Sequence, residues 1–119
     1  MNNKGQVLVV FVILIPIIII SLLILIEFGK LYLEKQHDIN VIKETINYGL
    51  KHIDDEKINE KINNLIDINI NYSDKSIFIS DDEIRINIKK NVWIFGKKHI
   101  VTYIYTGIKN DEVIKIEEG

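Results

Sequence analysis

VLVVFVILIPIIIISLLILI, residues 7–26, is the stretch on which the rest of the chain depends. It runs twenty residues without a charge, an Asn, a Gln or a Gly, and only Pro16 and the hydroxyl of Ser21 interrupt it. A helix of that length spans roughly 30 Å, the thickness of a bilayer's hydrocarbon core. Soluble strands seldom exceed about ten residues, so the many Ile and Val do not make it one buried strand. A helix on a globular core carries a polar stripe, and this one has none. Lipid favours a helix because a helix pairs its own backbone groups, which overrides the β preference of Ile. The stretch therefore reads as a transmembrane helix. Pro16 removes one backbone donor and crowds the carbonyl of Val12, so a local loosening is expected there.

Two plainer readings compete. A cleaved secretory signal has an apolar core of about 7–15 residues and a small-residue cleavage site. Here the run is longer and ends in Glu27-Phe28-Gly29-Lys30. The other is a generic anchor with no further meaning.

Beyond Ile26 the periodicity extends the helix. Leu31 and Leu33 continue it, and Ile39, Ile42, Ile46, Leu50 and Ile53 recur every three or four residues as one apolar stripe. Lys35, Asp38, Lys43, Glu44 and Lys51 read as the opposite, solvated face. Gly29 and Gly49 each weaken the helix by about 1 kcal/mol relative to Ala. A break is expected over residues 52–55. Asp54 or Asp55 is then a candidate cap for a short second helix bearing Ile58, Ile62, Leu65 and Ile66, with Glu56 near its positive end.

The period then changes to two. Ile68, Ile70 and Tyr72 alternate with Asn69 and Asn71; Ile77-Phe78-Ile79 follows a Ser73-Asp74-Lys75 turn; Ile84, Ile86 and Ile88 alternate with Arg85, Asn87 and Lys89. Val92 to Phe95, Ile100 to Tyr105 and Val113 to Ile116 complete a meander of four to six strands with one polar face. That sheet needs a cover, and the amphipathic half of the long helix needs a partner surface. The two are expected to fold as one unit, because the portion without the helix is too small for a robust core. The fold class expected is α+β.

Chemistry finds little foothold. The formal net charge of −2 and the mixing of Lys and Arg among Asp and Glu give no case for nucleic acid. Without Cys there is no disulfide, thiolate metal site or thiol nucleophile. His37, His52 and His99 stand in different elements without ligand spacing, and solvated or packing roles suit them better than a metal. Ser80-Asp81-Asp82-Glu83 lacks the alternating carboxylates and Gly of a calcium loop and reads as a turn. No Gly-rich phosphate loop and no G-x-S-x-G is present. The expectation is a protein that is not an enzyme and takes no metal or other cofactor. Glu27, the acid nearest the apolar run, reads as a boundary residue one turn from Lys30, with a subunit contact as the alternative.

One further signal lies in the order of residues around the apolar run. Lys4-Gly5-Gln6, Phe11, Pro16 and then Ile26-Glu27-Phe28-Gly29-Lys30 resemble the TadE-like family, minor pilins or pseudopilins of tight-adherence (Flp-type) pilus systems. The resemblance covers about residues 4–50, and the spacing from Gly5 to Phe11, Pro16 and Glu27-Phe28-Gly29 matches without gaps. It implies a pilin-like fold and a role in pilus assembly serving secretion, adhesion or DNA uptake. It also implies a leader (residues 1–5) cut by a prepilin peptidase between Gly5 and Gln6. The remaining parts are then a membrane helix (6–29), its amphipathic continuation (30–53) and a small extracytoplasmic α+β domain (54–119). The leader is cytoplasmic in this scheme, and the partners are membrane lipid, other pilin-like subunits and pilus assembly proteins. The family commonly carries Glu where this chain has Val10, and that carboxylate is thought to meet a neighbouring subunit's terminal amine. The alternative is a single-pass anchor presenting a small binding or sensory domain.

Overall fold

The computed structural model describes residues 3–119 and is α+β. Helix α1 runs Asn3–Lys51, α2 Ile58–Asn69, and four strands follow: β1 Asp74–Ile79, β2 Glu83–Ile94, β3 Lys97–Asn110 and β4 Val113–Glu118. The chain divides into two compact units, one ending at Glu34 and one running Lys35–Gly119. The second contains the last third of α1, as expected of a helix that shares a core with a sheet.

The sheet is an antiparallel meander in the order β1-β2-β3-β4. Alternation sets its inner face: Ile84, Ile86 and Ile88 of β2 are fully buried, opposite Gly107, Tyr105 and Tyr103 of β3. Ile42, Ile46 and Leu50 of α1 and Ile58, Ile62 and Ile66 of α2 join them in one core. Both helices therefore supply that core. Two glycines allow the close approach. A Cβ on Gly107 would stand 2.1 Å from Ile46 Cγ2, and one on Gly49 2.6 Å from the Cδ1 atoms of both Ile62 and Ile84. Gly49 thus costs helix propensity and returns it as packing between α1, α2 and β2.

Several expectations need correction. Asp38 is not on the solvated face of α1; it is 1% exposed. It lies one helical turn before Ile42 and so on the buried stripe. Its carboxylate accepts from the Lys90 ammonium of β2 at 2.9 Å, and Lys90 is itself buried. Neither Asp54 nor Asp55 caps α2; its N-cap position is Lys57, which makes no side-chain cap bond. Asp55 acts one step earlier, accepting from the Lys57 backbone N–H at 2.9 Å. Ile68 belongs to α2 and is exposed, while Ile70 and Tyr72 lie between α2 and β1 rather than in a strand. Val92 and Trp93 extend β2, so the meander has four strands with a long central hairpin.

That hairpin turns on two residues, Phe95 and Gly96, between the paired Ile94 and Lys97. Both have positive φ, 50° and 77°. This suits the turn type that matches strand twist, where Asn-Gly is the usual choice. An aromatic residue held there costs about 1–2 kcal/mol.

Candidate functional site

The feature that sets residues 3–34 apart is apolar surface with no covering protein. Every residue from Val7 to Ile26 is exposed, with Phe11 at 55% and Ile17 at 53%. In water each such side chain forfeits about 1.5–3 kcal/mol relative to burial, a cost that hydrocarbon removes. α1 includes a helix long and apolar enough to cross a membrane, and none of its most apolar 18-residue window is buried. The polar groups inside it are handled within the helix. Ser21 Oγ donates to the Ile17 carbonyl at 2.8 Å, so its hydroxyl needs no outside partner. Pro16 sits inside the helix without ending it.

The residues singled out from the sequence all fall on this helix. Gly5, Gln6, Phe11, Pro16, Phe28 and Gly29 are exposed, and Glu27 is half-buried. A Cβ added at Gly5 or Gly29 would meet nothing within 4 Å. Their small size is therefore not required by packing within this chain, and it leaves two places where another surface can approach the backbone closely. No geometry draws these seven residues into one pocket; they form a line along a helix.

The Lys35–Gly119 unit offers several polar contacts. His37 Nε2 lies 3.2 Å from the Asn69 carbonyl, and His52 Nδ1 lies 2.9 Å from the Tyr48 carbonyl with its ring stacked on Tyr48. Among the described residues, no three of His, Cys, Asp and Glu gather where they could hold a metal ion. An open groove beside α1 and α2 is lined by Val41, Glu44, Tyr48, Lys61, Asn64 and Leu65. At its edge Lys61 hydrogen-bonds Asp55, which lowers the Asp55 carboxyl and raises Lys61. Lys75 and Tyr72 donate to Asp67 and lower it. Burial works to lower Lys75, but its bonds to Asp67 and Tyr72 prevail and raise it. Burial pushes the Tyr105 phenol up, and nearby Glu118 adds to the rise.

The charge distribution departs from the mixture read along the sequence. From Ile84 to Asn110 the chain carries Arg85, Lys89, Lys90, Lys97, Lys98 and Lys109 and no acid. These residues are the β2–β3 hairpin after its first residue, Glu83. Its tip also exposes Trp93 (62%), Phe95 (62%) and Ile100 (69%). Sequence reading saw the short apolar run and missed the block of one sign; counting acids strand by strand reveals it.

Comparison of the chain with protein-family models, with curated proteins and with solved structures gave no match.

Proposed function

We propose that this protein is a membrane-anchored minor pilin or pseudopilin, a structural component of a tight-adherence-type pilus. The observation that carries the reading is α1 itself. It is one 49-residue helix, apolar and uncovered from Val7 to Ile26, and packed into an α+β core from Ile42 to Leu50. A helix that is stable in lipid is also stable among like helices, so a subunit of this design can pass from membrane to filament without refolding. The resemblance of residues 4–50 to TadE-like proteins supplies the direction. The residues before Gly5 face the cytoplasm and the Lys35–Gly119 unit faces outward. Gly5-Gln6 is the bond cut by a prepilin peptidase, and Phe11, Pro16, Glu27, Phe28 and Gly29 lie along the helix–helix contact.

Val10 favours a second reading. It leaves no carboxylate for a neighbour's terminal amine, as suits a tip or base subunit, or a plain single-pass anchor presenting its domain to a partner. One measurement separates them. Mass spectrometry of the membrane-extracted protein should show an N-terminus at Gln6, and Gly5→Lys should abolish that species. Membrane protein that retains Met1 contradicts pilin processing and leaves the anchor reading.

A further inference from the structure

We infer that the tip of the β2–β3 hairpin is a second membrane contact, one that seats Trp93, Phe95 and Ile100 among the headgroups of an anionic bilayer. The inference rests on the reading of Val7–Ile26 as a membrane helix, and adds to it a role for the sheet.

The argument begins with direction. Ile84 lies at the level of Gly49, since a Cβ there would stand 2.6 Å from Ile84 Cδ1. Lys90 lies at the level of Asp38, bonded to it at 2.9 Å. Strand β2 therefore travels back along α1, toward the end of the Lys35–Gly119 unit at which the chain enters. Six residues of strand cover about 20 Å and eleven of helix about 17 Å, so the two keep pace. Four more residues carry β2 about 13 Å beyond Lys90, to the turn. The hairpin thus ends on the side of the Lys35–Gly119 unit at which Lys35 and Asp38 lie.

Composition fits that position. The outer face of the hairpin pairs Trp93 with Lys98 and places Ile100 diagonally from Trp93. Aromatic rings with lysines beside them are the groups that settle at a membrane–water boundary. Toward its turn, from Lys89 to Val101, the hairpin exposes Lys89, Lys97 and Lys98 and carries no acid, in a chain whose net charge is −2, so this end complements anionic headgroups. Phe95 adds an independent observation. A turn of this shape is made at least cost by Asn-Gly, yet here a bulky apolar side chain is held at positive φ on the apex and left 62% exposed. The turn's shape does not ask for phenylalanine, and a bilayer surface would take the exposed part of its ring.

The test uses Trp93, the chain's single tryptophan. The full chain is reconstituted into phosphatidylcholine–phosphatidylglycerol vesicles whose lipids carry bromine either near the headgroup or near the chain end. Trp93 fluorescence should be quenched by the shallow bromine and much less by the deep one. Lys97→Glu with Lys98→Glu should cut the contact equilibrium by roughly fivefold for each lysine lost. A Leu14→Trp variant in a Trp93→Phe background should be quenched by the deep bromine, and it reads insertion of α1 alone. If Leu14→Trp is quenched and Trp93 is not, the hairpin contact is overturned and the anchor stands. If neither is quenched, the anchor reading fails and this inference with it. Emission shifted to the blue without quenching by bromine assigns Trp93 to a second copy of the chain and overturns the lipid contact. Equal quenching in the double-glutamate variant overturns the assignment to anionic headgroups.

Discussion

Residues 3–34 and 35–51 belong to one helix and use the same apolar residues, yet they meet different surroundings. Ile17 is 53% exposed and Ile42 is fully buried. The difference lies in arrangement. In the second part apolar residues return every three or four positions, so one stripe faces the sheet and α2 while Lys43 and Glu44 remain exposed. In the first part they occupy every side, and no single protein face can cover them. A stripe specifies a partner surface; an all-round coat specifies a medium. The comparison teaches that α1 carries two patterns in sequence, first a run long and apolar enough to cross a membrane and then a stripe that packs into a fold.

The comparison can be broken most severely at Asp38. Asp38→Ala removes the carboxylate bonded to the buried Lys90 ammonium and is expected to cost about 3–5 kcal/mol. The readout is chemical unfolding of the full chain in non-ionic detergent, followed by near-ultraviolet circular dichroism of the buried Tyr103 and Tyr105. Asp38→Leu combined with Lys90→Met should recover most of that loss, because it removes both charges together. A single variant as stable as the parent shows the pair is not buried in solution.

A matched pair of substitutions sharpens it. Ile46→Ala removes fully buried methyl groups and should cost about 2–5 kcal/mol. Ile17→Ala should change the same transition by no more than about 0.5 kcal/mol. Equal effects erase the distinction between the two parts of α1.

Acid gives the smallest effect. Asp55 and Asp67 are lowered by hydrogen bonds from Lys61 and Lys75, respectively. A carboxyl depressed in the folded state contributes stability above its unfolded pKa, about 3.9, and loses it as pH falls through the folded value. Lys61 and Lys115 are raised, so their contribution holds below about pH 10.4 and fades as pH rises through the folded value. All four are at the surface, where such pairs contribute little. Asp55→Asn with Asp67→Asn should flatten the acid limb of the stability profile and leave neutral stability nearly unchanged.

Legibility followed the same division. The membrane-length run and the stripe Ile42, Ile46, Leu50 were readable because each repeats one rule over many residues. Asp38 was misplaced because its charge outweighed its position, although it stands four residues before Ile42. Its partner Lys90 lies fifty-two residues away and leaves no local mark. Ile68 reads as a strand residue because a short run such as Leu65, Ile66, Ile68 and Ile70 fits either period. The hairpin tip escaped notice for another reason. Trp93 and Phe95 are unremarkable in a strand, and their meaning comes from the end of the sheet to which the Asp38–Lys90 contact ties them.

The central claim is that lipid surrounds residues 7–26 and water reaches the exposed face of residues 35–51. The chain has no Cys, so single introduced thiols report without background. Leu14→Cys and Asn40→Cys, each in the full chain in vesicles, are treated with a charged maleimide after permeabilisation. Asn40→Cys should label quickly and Leu14→Cys only after detergent dissolves the membrane. Labelling of Leu14→Cys at the rate of Asn40→Cys before detergent dissolves the membrane contradicts the account.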